Sequence, residues 1–306
     1  MLGADRFQRK HYALHLPIGI IKKYDEDGGG HLAALLTYYG FLSLFPMFIV
    51  ATAVAQIFAH NNDELKSQIL HAVTSYFPAI GDTLSSTLFS TSKNGITLAI
   101  ALLIALYGVR GFAEVVQHVL HIVWAVPRPQ RKGFPVSFIR SLSIVFFGGI
   151  GLIVSAILTG YATTSNFAFL VRILLGTMGF LVLYAVFWGV FTYGSSARPR
   201  RIANVPGALI AATGLLFLQA IGSYLIAYQL GRYTGLSVQF GVVLALLFWI
   251  YLQAVMFIFA LEYSTVRAYR LYPRTLDEKR PTSADKHAHQ LYAKRDAYAP
   301  NTSPLV

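Results

Sequence analysis

The amino-acid sequence predicts an all-α fold, a polytopic membrane bundle of six transmembrane helices with its N- and C-termini cytoplasmic. Three observations carry this. Only 12% of the 306 residues are charged, against 55% hydrophobic, and the mean hydropathy is +0.55. A soluble domain carries about 25% charged residues, so the charges needed to cover a water-facing surface are missing. The apolar residues also fall in long blocks. Leu32–Ala59, Gly95–Val109, Ser141–Val171, Ile173–Ala197, Ile202–Gly231 and Tyr233–Leu261 contain no Asp, Glu, Lys or Arg, and about 20 helical residues cross a hydrocarbon core of about 30 Å. Third, the basic residues are lopsided. The N-terminal arm holds five, the second and fourth connections three each, and the tail from Arg267 eight; the other three connections together hold Lys66, Lys93 and Arg232. The positive-inside rule then puts both termini and connections two and four in the cytoplasm.

Each element follows in order. Residues 1–30 form a cytoplasmic arm whose "YALHLPIGII" reads as an amphipathic segment lying at the membrane interface. It is not a secretory signal, because Pro17, Lys22, Lys23 and Asp25–Asp27 provide no small-residue cleavage region. Gly28–Gly30 lets the chain turn into the bilayer. The six-span domain covers 31–268, with spans at about 31–59, 95–120, 138–161, 168–193, 206–230 and 236–264. Between the first two, residues 61–94 carry Leu65, Ile69, Val73 and Tyr76 at helical spacing, an amphipathic cap outside the membrane. Pro46 is expected to kink span one. Gly151, Ser155 and Thr159, and likewise Gly207 and Ala211, form small-residue faces for close helix packing. The tail, 269–306, is polar and mixed in charge, and reads as flexible.

The net charge of +12 needs no nucleic-acid partner. The basic residues sit in short loops beside spans, where anionic lipid attracts each by about 1 kcal/mol. No zinc-finger, RNA-binding or nuclease-metal pattern is present, and zero cysteines exclude disulfides and thiol chemistry. The expectation is no cofactor, no metal and no catalytic residue. Anionic membrane lipids are the expected partners, a homo-oligomer is compatible with the chain, and protein partners stay unspecified.

Candidate site residues are the polar groups inside spans, where ionisable side chains are costly. Glu114 and Glu262 are the carboxylates, both expected toward the cytoplasmic ends, with Arg140 at a similar depth. Arg110, Glu114, Gln117 or His118, and His121 follow one another at helical spacing, a stripe able to line a cytoplasm-facing cavity or simply to pair Arg110 with Glu114. Glu114, His118 and His121 also have metal-ligand spacing, but no second helix of ligands accompanies them. Tyr38 and Tyr39 lie a short way into span one, either interfacial aromatics or cavity lining. Gln219 and Gln253 sit deeper, where amides need a partner or water. The sharp expectation is that Arg110, Glu114, Arg140 and Glu262 converge; the plain one is that Glu262 pairs with Arg267 or Arg140.

Three stretches resemble a known family. "AALLTYYGFLSLFPMFIV" (Ala33–Val50), "VRGFAEVVQHVLHIVW" (Val109–Trp124), and "VPGALIAATGLLFLQAIGSYLIAY" through "FWIYLQAVMFIFALEYS" are similar to the YihY/BrkB family of bacterial inner-membrane proteins. His121 stands where that family usually has asparagine, and Ala260 where it usually has glycine. The resemblance implies a six-span, multi-pass protein of the bacterial inner membrane and little about mechanism. The family's old ribonuclease label fits poorly with a chain that offers only a few intramembrane polar groups. Three functions stay open: transport or flipping of an amphiphile such as a lipid or envelope precursor, cation or proton antiport, and a non-transporting scaffold. An enzyme is not expected.

Overall fold

A computed structural model describes residues 12–58, 95–164, 168–196, 201–230, 237–275 and 281–297. The expected cap at 61–94 lies outside the described residues. Among those described, the secondary structure is entirely helical. Eight α-helices follow in order: α1 (Tyr12–Glu26), α2 (Gly29–Phe58), α3 (Gly95–Val123), α4 (Val136–Thr164), α5 (Phe169–Tyr193), α6 (Val205–Leu230), α7 (Ser237–Tyr269) and α8 (Ser283–Asp296). Short 3₁₀ turns at Arg128–Gln130 and Arg201–Asn204 lead into α4 and α6. Within the described residues four segments are long and apolar enough to cross a membrane: Val136–Ala162, Phe169–Tyr193, Arg201–Gly222 and Gly241–Tyr269. α2 and α3 are 30 and 29 residues long. α2 runs through Pro46 as one helix.

Helices α2 to α7 form a closed circuit. Each packs on the next in sequence, and α7 returns to α2 and touches α3. Small residues let the backbones approach, as van der Waals packing requires where lipid supplies no hydrophobic drive. On α6, Gly207 faces Ser264 and the Ala260 carbonyl, Gly214 faces Met256, and Gly222 faces Trp249; a β-carbon at any of them would collide. On α5, a β-carbon at Gly179 would lie 2.7 Å from Thr159 Oγ1 and 3.0 Å from the Ser155 carbonyl oxygen. Ser155 instead donates its hydroxyl to the Gly179 carbonyl at 2.7 Å. The small faces read from the sequence are thus the α4–α5 and α6–α7 seams.

The main core joins Leu36, Val119, Leu120, Trp124, Phe191, Ile258 and Leu261. The outer surface is just as apolar: Phe146, Phe147, Leu170 and Phe217 are all more than half exposed. A water-facing surface tolerates no such belt, whereas hydrocarbon does.

The ends of α3 and α7 are stopped in the same way. Val126 N–H donates to the His121 carbonyl at 2.8 Å, and Leu271 N–H to that of Val266 at 2.9 Å. Each closes a Schellman-type cap with a non-glycine residue, Ala125 or Arg270, in the left-handed region at φ 48° and 52°. Tyr269 meets Trp124 edge-on at 5.7 Å, so the two helix ends are tied.

Within the tail, expected to be flexible, the described residues 283–296 form a docked helix. α8 opens on a capping box in which the Thr282 hydroxyl accepts the Asp285 N–H at 3.1 Å and the Asp285 carboxylate accepts the Thr282 N–H at 2.9 Å. Ala284, Ala288, Leu291 and Tyr292 recur at helical spacing and make a narrow apolar stripe. That stripe closes a cluster with Leu16 and Ile20 of α1 and with Val266 and Leu271. Polar composition alone reads as disorder, but here the charges are answered by charges on α1.

Candidate functional site

α1 lies across the end of the bundle where α3 and α7 finish, packed on α7 and α2. Its Gly19 meets the Leu271 carbonyl, and Tyr24 stacks on Phe259 at 4.4 Å between ring centroids. This placement buries Lys23 to 1% exposure. The ammonium has three donors, and three acceptors surround it. It pairs with Asp27 one turn on, donates to the Val123 carbonyl at 2.9 Å, and lies 2.9 Å from Glu262 Oε2. Glu262 is wholly buried. Arg295 of α8 reaches the other oxygen of Asp27 at 2.7 Å. Burial pulls the Lys23 pKa down, but the fields of Glu262 and Asp27 outweigh it and hold the ammonium above its ordinary value.

A second cluster adjoins the first. Arg274, wholly buried, reaches both Glu26 oxygens from Nη2 at 2.6 and 2.7 Å, and its Nε–H donates to Asp285 at 2.7 Å. Lys22 reaches Asp285 at 3.1 Å and the Thr275 carbonyl at 2.8 Å. The Tyr292 hydroxyl donates to Glu26 at 2.8 Å. Burial pushes the Asp285 carboxyl upward, yet hydrogen bonds from Thr282, Arg274 and Thr275 hold it well below the usual carboxylate range. Across both clusters Lys22, Lys23, Arg274 and Arg295 face Glu26, Asp27, Glu262 and Asp285, four charges against four. The whole is a neutral clasp joining α1, α7 and α8.

The expected convergence of Arg110, Glu114, Arg140 and Glu262 is replaced by three separate arrangements. Glu262 takes Lys23 of α1 as its partner, in place of Arg140 or Arg267. Arg110 Nη2 pairs with Glu114 at 2.5 Å, one turn along α3. Arg140 donates to Ser196 Oγ at 3.1 Å, and Ser196 N–H donates to His121 Nε2 at 3.1 Å. The polar stripe of α3 therefore divides. Arg110, Glu114 and His118 are partly or fully exposed, whereas Gln117 and His121 are buried. Gln117 bonds Ser141 Oγ at 2.6 Å and the Ser137 carbonyl at 3.2 Å on α4. Tyr38 is exposed; Tyr39 packs beside Gly111 of α3. Gln219 and Gln253 are half-buried on α6 and α7. Among the described residues no three of His, Cys, Asp and Glu come together as a metal site.

Lys22, Lys23, Glu26, Asp27, Arg274, Asp285 and Arg295 were missing from the sequence-derived candidates. One signal pointed to them. In "KKYDED" the pairs Lys22–Glu26 and Lys23–Asp27 both stand four apart, so a helix presents two ion pairs on adjacent faces.

The comparisons with known proteins bear on the same helices. The family model described as Virulence factor BrkB matches residues 20–285, from within α1 to within α8. The chain belongs to the BrkB family. It is similar to the inner membrane protein YhjD of Escherichia coli (strain K12), 22% identical over 91% of this chain and 88% of that one. It is also similar to a UPF0761 membrane protein of Alcanivorax borkumensis, 26% identical over 76% of this chain and 56% of that one. No solved structure matches significantly. Family, relatives and apolar helices together make it an integral membrane protein.

Proposed function

We propose that this is a six-span protein of the bacterial inner membrane, both chain ends cytoplasmic, that moves an amphiphile such as a lipid or envelope precursor. The observation that supports it is the Arg110–Glu114 pair. Arg110 stands near the middle of α3, about 22 Å from Gly95 and about 20 Å from Val123 at 1.5 Å per residue. The two side chains are nonetheless 32% and 43% exposed. An open ion pair at that depth is costly against hydrocarbon, and water or a polar headgroup entering beside α3 removes the cost. The guanidinium lies 5.0 Å from the Phe138 ring of α4 and 5.8 Å from Tyr107, so its planar donors are held for an anionic group. Glu262, in contrast, is about 10 Å from the end of α7 and engaged by Lys23. That makes it a poor midplane carrier for an antiporter. The reading involves neither enzyme chemistry nor nucleic acid.

The test is purified full-length protein in liposomes carrying fluorescent phosphatidylglycerol, with leaflet exchange followed by dithionite quenching, with and without a proton gradient. Exchange above that of empty liposomes is expected. Arg110→Gln should slow it roughly tenfold, the worth of one charge-assisted hydrogen bond. Exchange equal to empty liposomes under both conditions, or unchanged in Arg110→Gln, overturns the reading.

A further inference from the structure

The α5–α6 junction carries a feature that neither the clasp nor the Arg110 pair uses. Tyr184 and Trp188 lie one turn apart in the second half of α5, and Arg201, Ile202 and Val205 lie across from them where the 3₁₀ turn enters α6. Together they line an open groove of about 410 Å³, with almost wholly apolar walls. It is a shallow, largely open groove rather than an enclosed pocket. The groove is built rather than accidental. Trp188 Nε1 donates to the Arg201 carbonyl at 3.3 Å, and the neighbouring Asn204 is fully buried and donates to the Phe191 carbonyl at 3.3 Å. Both bonds fix the turn against the end of α5. The Arg201 guanidinium lies 5.7 Å from the Tyr193 ring, a contact that does not use its N–H donors.

Charge says what those donors face. From Val115 to Leu261 the chain has no aspartate or glutamate, yet nine lysines and arginines. This stretch contains all of α4, α5 and α6, so no carboxylate on either groove helix answers Arg201, and Arg198 and Arg200 precede it in sequence. The other basic connection, Arg128 to Lys132, comes to the same end of α5, where Lys132 N–H donates to Ser196 Oγ at 3.4 Å. An apolar trough beneath a planar cation that no carboxylate among the described residues pairs with has the shape and charge of one ligand class. An acyl chain fills the trough, and a phosphate takes the arginine's forked donors. Tryptophan and tyrosine suit the boundary between the two.

We infer that the α5–α6 groove is a binding site for an anionic phospholipid, with an acyl chain against Tyr184, Trp188, Ile202 and Val205 and the headgroup phosphate on Arg201. The site requires only that the chain sits in a membrane, and it stands whether or not the chain transports anything.

Native mass spectrometry of the full-length protein in detergent tests this, with phosphatidylglycerol and phosphatidylcholine added in equal amounts. Wild-type protein should retain phosphatidylglycerol preferentially. Arg201 is exposed, so Arg201→Gln leaves the packing intact; it should lower that preference about fivefold, as one arginine near an anionic headgroup implies. Val205→Phe, filling the trough, should reduce retention of both lipids. No preference in the wild type, or retention unchanged in both variants, overturns the inference. Loss of lipid retention in Arg201→Gln with leaflet exchange intact leaves the transport reading standing. Loss of exchange in Arg110→Gln with lipid retained leaves this one standing.

Discussion

At the scale of single residues, Lys23 shows how a buried charge is kept. Removing an ion from water costs several kcal/mol, and only close, well-placed partners offset it. Lys23 has three: Asp27, Glu262 and the Val123 carbonyl. Lys23→Met would leave Glu262 buried without its cation and Asp27 with Arg295 alone. A destabilisation of about 3–5 kcal/mol is expected for one broken buried pair. Lys23→Met combined with Glu262→Gln should recover a large part of it. Thermal unfolding of the four proteins in one detergent gives the coupling energy directly; additive effects would mean the pair is not coupled. The alkaline limit has a definite sign. Because the folded-state pKa is raised, the contribution of Lys23 is fully present below the unfolded value of about 10.4 and fades as pH climbs through the higher folded value.

At the scale of elements, α8 is held by one carboxylate more than by any other group. Asp285 accepts from Arg274, Lys22, Thr275 N–H and Thr282 N–H, and it completes the cap of its own helix. Asp285→Asn keeps the shape and removes the charge. The docked helix is expected to lose about 2–3 kcal/mol, the upper range for hydrogen bonds to a charged group. Hydrogen exchange across 283–296 should accelerate accordingly while α4 and α5 stay protected; unchanged exchange would refute the assignment. The pH dependence has the opposite sign to that of Lys23. A carboxyl held below its usual range contributes fully above its unfolded value of about 3.9, and loses that contribution only as pH falls toward the lower folded value. Protection of α8 should therefore be level from pH 7 to about pH 5.

At the scale of the whole molecule, the closed circuit of α2 to α7 places α1 and α8 together at one end. The six helices from α2 to α7, an even number, bring the chain back to the end it started from. With the basic connections at the same end, both chain ends are expected in the cytoplasm. A cytoplasmic-type reporter fused after Val306 should be active, and an extracytoplasmic-type one silent. Labelling of residues 61–94 by an impermeant reagent from the cytoplasmic face would overturn this topology.

Helical content and membrane placement were determined by the sequence, because both depend on local quantities that add along the chain. Five of the six charge-free blocks are long enough for a helix to cross the hydrocarbon, the sixth, Gly95–Val109, needing its helix to run on past Arg110, and Gly151, Ser155 and Gly207 marked where helices approach. The stripe of α3 was legible as a stripe, and Arg110 with Glu114 as a pair four residues apart. The clasp was only half legible. Lys22–Glu26 and Lys23–Asp27 could be read as neighbours on one helix, but not that Glu262, Arg274, Asp285 and Arg295 would meet them. Those partners stand about 240 to 270 positions along the chain from the α1 residues they meet, and no periodicity connects them. Only tertiary structure decides such pairings, since the free energy that favours them appears only once α1, α7 and α8 exclude water from the same place. The tail shows the same division: its composition indicates solubility in water, and its fold depends on a surface that the other end of the chain provides.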